Sequence, residues 1–286
     1  MSIAPPGLHA LAPGRPAEIE GFSNRLLVHP LARRLAGCLA RTAVTPNQVS
    51  AASVFASAAA AACYVCLAWP FNAAAGLGLQ ILWHVLDGAD GDLARRTGRA
   101  SPIGELVDGV CDHVSQALLY IAFALMAARS IGAWAWPLAI TAALSHFVQA
   151  NAYETGRKSY RHHVYGAPWM RQTGAGVGGA GGSFARVYMR LSERLNVGGA
   201  VVAAALRRAS AEAGRRAYRE AFAPVLKRSG LLASNTRTLA GFAAVLIARP
   251  AWFFVFEIII LNGVLAALLA MRLRASARLA TRLGAY

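Results

Sequence analysis

The chain has 286 residues, 56% of them hydrophobic and 15% charged, against about 25% charged residues in soluble domains. That balance excludes an ordinary soluble fold, whose helices would alternate apolar and polar faces instead of running apolar all round. The formal net charge is +16, but Lys and Arg flank long apolar runs as membrane anchors do, and are not interleaved with aromatics as on a nucleic-acid-binding surface. Nucleic acid is therefore not an expected partner.

Residues 1–30 read as a mobile N-terminal tail, rich at first in Pro, Gly and Ala and with little periodicity. The first apolar run is long enough to span a bilayer and follows a largely polar stretch, which is not the layout of a cleavable signal peptide. Leu31, Leu35 and Leu39 recur at helical spacing beside Arg33, Arg34 and Arg41, predicting a short amphipathic helix on the membrane surface. Spanning helices need about twenty mainly apolar residues. Six candidates follow: Val49 to Trp69, Ala73 to Arg95, Ile103 to Ala128, Ile131 to Tyr153, Leu232 to Ala248 and Trp252 to Met271. Thr45 before Pro46 makes a good N-cap and N1 pair for the first. Arg249-Pro250 leaves only a tight turn between the last two, and the fifth is short and carries Asn235 and Arg237. The expected fold class is all-α, a polytopic membrane protein of about six transmembrane helices with an N-terminal juxtamembrane helix.

An even number of spans puts both termini on one side, where nearly every Lys and Arg then falls, with Arg129 and Arg249 opposite. The positive-inside rule makes that side the cytoplasm, and the expected location is a bacterial inner membrane. Residues 31–155 hold the surface helix and the first four spans, with the candidate site. Residues 156–231 form a basic connection too long for an ordinary loop, with cytoplasmic amphipathic helices expected around Val197 to Leu206 and Ser210 to Arg228. Residues 232–286 complete the chain with two spans and a basic tail. Gly174-x-Gly176-x-x-Gly179 matches a nucleotide-loop string, but no strand precedes it and it reads as a flexible linker. Cys63 and Cys66 lie inside an apolar run, where small soft side chains pack. With Cys38 and Cys111 they show no disulfide or zinc framework.

All five aspartates of the chain fall between positions 87 and 112. Ionisable groups at membrane depth cost about 2.5–3.5 kcal/mol each on insertion scales, so such a cluster points to function. On one helix Asp87, Asp90, Gly91, Ala94 and Arg95 share a face; on the next, Gly104, Asp108 and Asp112 do the same. Two adjoining helices thus present four carboxylates to one point. Hard divalent cations, Mg²⁺ or Mn²⁺, suit such oxygen ligands, and a pair of them serves in-line attack on phosphorus. Gly91 and Ala94 leave room for a flat base and sugar, and Arg95 can meet a phosphate. Asp92 falls off this face as a solvated interfacial charge. His84 and His113 read as satisfied interior histidines near the site, and Arg157 and Arg237 as cytoplasmic anchors able to meet a phosphate. The rival reading is a transporter or Mg²⁺ permease using the aspartates as an ion site, which leaves the glycines and the alanine on the same faces without a purpose.

The string Asp87-x-x-Asp90-Gly91-x-x-Ala94-Arg95, eight residues, then Gly104-x-x-x-Asp108-x-x-x-Asp112 resembles the complete signature of the CDP-alcohol phosphotransferase (phosphatidyltransferase) family. The resemblance implies release of CMP as a substituted phosphate passes from a CDP-alcohol donor to an acceptor hydroxyl on a lipid or a small alcohol. It implies two Mg²⁺ or Mn²⁺ ions on Asp87, Asp90, Asp108 and Asp112, with Asp112 also the general base. Gly91, Ala94 and Arg95, with Gly104 and Asn47, would hold the CDP part, and the chain would pair as a homodimer among membrane lipids. The signature does not separate CDP-diacylglycerol donors from CDP-linked small alcohols. The flanking Ala94-Arg95-Arg96-Thr97 and Ser101-Pro102-Ile103-Gly104-Glu105-Leu106 are similar to choline and ethanolamine phosphotransferases. His113 stands where phosphatidylglycerophosphate synthases commonly carry Lys and inositol-phosphate-type synthases often Arg.

Overall fold

A computed structural model describes residues 16–21, 24–167 and 179–284. Among them no strand occurs, and the protein is an all-α polytopic membrane protein. The chain divides into two compact units, one made of Phe22–His146 with Ser234–Ile260, the other of Met1–Gly21, Phe147–Ala233 and Leu261–Tyr286.

The first unit begins with a π-helical stretch, Asn24–Val28, leading into α1 (His29–Leu39). The helix predicted from Leu31 to Arg41 is thus present, and it buries Ala32 and Ala36 in a cluster with Ala89 and Leu93. Next come α2 (Pro46–Cys66), α3 (Phe71–Arg96) and α4 (Pro102–Ile131). The start of α2 is a full capping box: the Thr45 hydroxyl accepts from the Gln48 amide at 3.3 Å, and Gln48 Oε1 accepts from the Thr45 amide at 2.8 Å. Ser101 caps α4 in the same manner, accepting from the Gly104 amide at 3.0 Å. Helix α2 packs along both α3 and α4, and its sequence says why. Ser53, Ala56, Ser57 and Ala60 make a buried stripe of small residues at helical spacing, which lets backbones approach closely where lipid offers no hydrophobic drive between helices. Ser57 Oγ donates across the interface to the Ser115 carbonyl at 2.9 Å.

Aromatic rings fill the unit away from the aspartates. Tyr64 lies 5.3 Å from Phe123, and Phe123 4.7 Å from Phe253, centroid to centroid. Tyr64 fits only because residue 76 is glycine, since a Cβ there would sit 2.3 Å from its ring. Gly76 and Asp87 are separated by about 16 Å along α3 at 1.5 Å per residue, so the aromatic plug and the acidic residues occupy different levels of the same helix.

The unit is completed by the first part of α5 (Ala135–Tyr165), by α9 (Ser234–Leu246) and by α10 (Ala251–Val255). Arg237 on α9, expected as a cytoplasmic anchor, is instead buried: its Nε stands 2.9 Å from Glu257 Oε1, with 4% and 0% of the two side chains exposed. Glu257 lies in a π-helical stretch, Phe256–Leu261, that continues α10.

In the second unit the described part of the basic connection contains α6 (Gly179–Leu195), α7 (Gly199–Arg208) and α8 (Ala211–Arg228). They join the rest of α5 and α11 (Asn262–Arg282). Tyr218 and Phe222 of α8 stack at 4.3 Å within a core that includes Tyr160, Leu226 and Leu279. Arg157 pairs with Glu154 at 2.7 Å. Part of the expected N-terminal tail is built in here: a single turn at Ala17–Ile19 buries Ile19, and Glu18 accepts hydrogen bonds from Tyr160 at 3.0 Å and Tyr165 at 2.5 Å. Residues 1–15 and the segment from Gly174 through residue 178 lie outside the described residues.

Among the described residues three stretches are long and apolar enough to cross a membrane: Pro46–Cys66, Val107–Tyr165 and Ala251–Arg282. The second contains most of α4 and all of α5, which break at Gly132 with φ of 58°, so the three cover four of the six expected spans. Of the other two, α3 has its apolar run diluted by Asp87, Asp90, Asp92, Arg95 and Arg96, and α9 is 13 residues long.

Removing one partner of the buried ion pair leaves an uncompensated charge. Glu257→Ala is therefore expected to destabilise the protein by about 3–5 kcal/mol, whereas the double replacement Arg237→Met with Glu257→Leu should recover most of the loss. Thermal unfolding of the purified variants in detergent checks both; a single variant as stable as the parent would rule out a strong pair.

Candidate functional site

The four signature aspartates come from the two helices that the spacing predicted. Asp87 and Asp90 stand near the C-terminal end of α3, and Asp108 and Asp112 in the first turns of α4. One ligand oxygen from each of Asp87, Asp108 and Asp112 lies within 4.8 Å of the other two. Asp90 is the most deeply set, at 3% exposure. It accepts a hydrogen bond from Ser50 Oγ of α2 at 2.6 Å and one from the Gly91 amide at 2.5 Å. Its side chain also interacts with Asp108, which ties it to the other three.

Three carboxylates at this spacing repel one another, more strongly where water is scarce. Asp112 adds a second sign of incompleteness, since its Oδ1 is buried with no hydrogen-bond partner. A hard divalent cation meets both needs, because it takes oxygen ligands and balances their charge. The residues present therefore fit the expected ions.

Around the carboxylates the structure separates what the sequence grouped. The exposed Arg95 side chain pairs with Asp92, so Asp92 is the partner of the candidate phosphate-binding arginine and not a solvated bystander. The same guanidinium covers Gly91, whose missing Cβ would lie 3.3 Å from Arg95 Nη1. Ala94 is half-buried on the same helix. Across the site, Gly104 is flanked by Ser101 and Asn47: a Cβ on it would be 3.2 Å from Ser101 Oγ and 3.8 Å from Asn47 Oδ1. The first turns of α2 and α4 thus meet at two of the residues expected to hold the nucleotide.

Neither histidine joins the carboxylates. His84 is buried and its Nε2 lies 2.8 Å from Thr238 Oγ1, which in turn donates to Gln80 Oε1 at 2.9 Å. His113 is exposed, with Nδ1 2.6 Å from the Gly109 carbonyl one turn back. Ser50, bonded to Asp90, is the residue of the candidate site that sequence reasoning missed. Its signal was faint: it is one of several small residues on α2, distinguished only by the turn that it occupies.

Residues 43–193 match the sequence profile described as CDP-alcohol phosphatidyltransferase. Over 109 residues the chain is 38% identical to an archaetidylinositol phosphate synthase of Aeropyrum pernix, a match that covers 36% of this chain and 54% of the relative. The chain thus spans about half the length of that curated relative.

Ser50→Ala is expected to weaken divalent-ion binding by about tenfold to a hundredfold, the usual effect of losing a group that orients a metal-binding carboxylate. Titration with Mn²⁺ followed by electron paramagnetic resonance measures it, and unchanged affinity would show that Ser50 does not orient Asp90.

Proposed function

Since the chain belongs to the CDP-alcohol phosphatidyltransferase family, we propose that it moves a substituted phosphate group from a CDP-alcohol to an acceptor hydroxyl in the membrane, releasing CMP. The observation that carries this reading is the convergence of Asp87, Asp108 and Asp112 at the positions of the family signature. The family is generally dependent on divalent metal. Here Asp87, Asp90, Asp108 and Asp112 would hold two Mg²⁺ or Mn²⁺ ions. Bound there, such ions would supply charge neutralisation for the diphosphate and for the departing CMP.

The remaining work falls to the chain's own groups. Arg95 engages a donor phosphate by exchanging its bond to Asp92, and the bare backbone at Gly91 and the small Ala94 admit the cytidine. Gly104 and Asn47 close the other side of that pocket. Asp112 takes the proton of the acceptor hydroxyl at Oδ1, the atom with no hydrogen-bond partner, as the acceptor oxygen bonds to phosphorus and the bond to CMP breaks. Transfer is direct, because no Ser, Cys or His on the two active faces serves as a first nucleophile. Positioning and electrostatics carry the reaction.

The likeness to an archaetidylinositol phosphate synthase supports a product in which an inositol phosphate is joined to a lipid. The basic residues gathered on one side of the spans support a cytoplasmic site in a bacterial inner membrane, and the family supports a homodimer.

Asp87→Asn, Asp90→Asn, Asp108→Asn and Asp112→Asn are each expected to lower turnover by at least about a hundredfold with the fold intact. CMP release at saturating Mg²⁺ or Mn²⁺ reads this out, and activity near that of the parent in any two of the four would overturn the assignment. CDP-diacylglycerol with inositol 1-phosphate should release CMP faster than CDP-choline with diacylglycerol; the reverse order would move the protein to the other branch of the family. Gly91→Leu should raise the KM for the CDP substrate before it lowers thermal stability, and unchanged donor binding by calorimetry would remove the nucleotide from this face.

A further inference from the structure

In the second unit a groove of about 460 Å³ lies between α8 and α11, a volume typical of small-molecule sites. Its floor is apolar: Ala217 and Val225 of α8 and Ala275 and Leu279 of α11 are all buried there. Its rim is cationic, with Arg274, Arg278 and Arg282 at intervals of four residues on one face of α11 and Arg228 at the end of α8. Glu220 is the one acid lining it among the described residues. That charge is already engaged, by Arg282 Nη1 at 2.5 Å and Arg216 Nε at 3.0 Å. Arg228, Arg274 and Arg278 are exposed, and they give the groove a net positive edge above a hydrocarbon floor.

We propose that this groove binds the anionic headgroup of a membrane phospholipid, its phosphodiester on Arg228, Arg274 and Arg278 and the start of an acyl chain along the apolar floor. Two features select a lipid. The groove is formed on the last turns of Ala251–Arg282, a stretch apolar and long enough to cross the membrane, and arginines at the end of such a span lie at headgroup level. Basic pockets between helices at that level are suited to anionic headgroups. A free phosphate would use the rim alone and leave uncovered the apolar lining that still has exposed surface, Ala221 and Pro224 of α8 and Met271 of α11. Nothing in this assignment depends on the carboxylate site, which belongs to the other unit.

The test uses the full chain in detergent, with phosphatidylglycerol and phosphatidylcholine offered at equal concentration and retained lipid counted by native mass spectrometry. The parent should retain phosphatidylglycerol at least about tenfold over phosphatidylcholine. Arg274→Gln with Arg278→Gln should abolish that preference, and Arg228→Gln alone should reduce it. Arg207→Gln with Arg208→Gln removes the same charge from exposed positions on α7 outside the groove, and should leave the preference intact. Equal melting temperatures for the variants exclude misfolding as the cause. Three outcomes would overturn the proposal: equal retention of the two lipids by the parent, an unchanged preference in the groove variant, or displacement of phosphatidylglycerol by an equal concentration of sn-glycerol 3-phosphate. The last would assign the arginines to a soluble phosphate.

Discussion

Mutual repulsion among the oxygens of Asp87, Asp108 and Asp112 sets the terms for much of the first unit. Carboxylates within helices that pack in an apolar bundle lose the water that would otherwise separate their charges, and each must be compensated locally. Ser50 and the Gly91 amide compensate Asp90 with hydrogen bonds. The remaining three are left convergent, a donor set that fits a divalent cation. The small-residue stripe on α2 serves the same end, because only a close approach of α2 to α3 brings Ser50 within reach of Asp90. The caps at Thr45 and Ser101 then fix where α2 and α4 begin, and hence which side chains of their first turns meet.

Much of this was legible in the sequence because it depends on periodicity. Residues four apart on a helix share a face whatever surrounds them, so the two acidic faces, the Thr45-Pro46 start and the amphipathic first helix could be read from spacing. Contacts between helices do not obey a local rule. Nothing in the spacing around Ser50 distinguishes it from Ser53 or Ser57, and nothing near Asp92 reveals that Arg95 turns back toward it instead of outward. Arg237 shows the limit most plainly. As an arginine close to a run of basic residues it reads as an anchor, and only the return of the chain through Glu257 makes it an interior charge.

Span boundaries were legible to a different degree. A run of apolar residues reports how a segment partitions, and α2, α4, α5 and the last helix partition clearly. Helix α3 does not, because its signature residues Asp87, Asp90 and Arg95 are among those that lower its hydropathy. A functional helix in a membrane enzyme is thereby the one that composition describes least well, and its membership of the bundle has to be read from its packing against α2 and α1.

The ion pair between α9 and the stretch after α10 also bears on how the chain reaches its membrane. Helix α9 is short and carries a guanidinium, so its transfer into lipid alone is opposed both by length and by charge. Its partner carboxylate arrives only after the tight reversal at Ala248, whose φ is 55°, and Pro250. A nascent chain that has delivered α9 but not Glu257 holds a bare charge, and one that has delivered both holds a neutral hairpin. Residues 234–257 are thus expected to enter the bilayer together, with α9 held back until residue 257 has emerged.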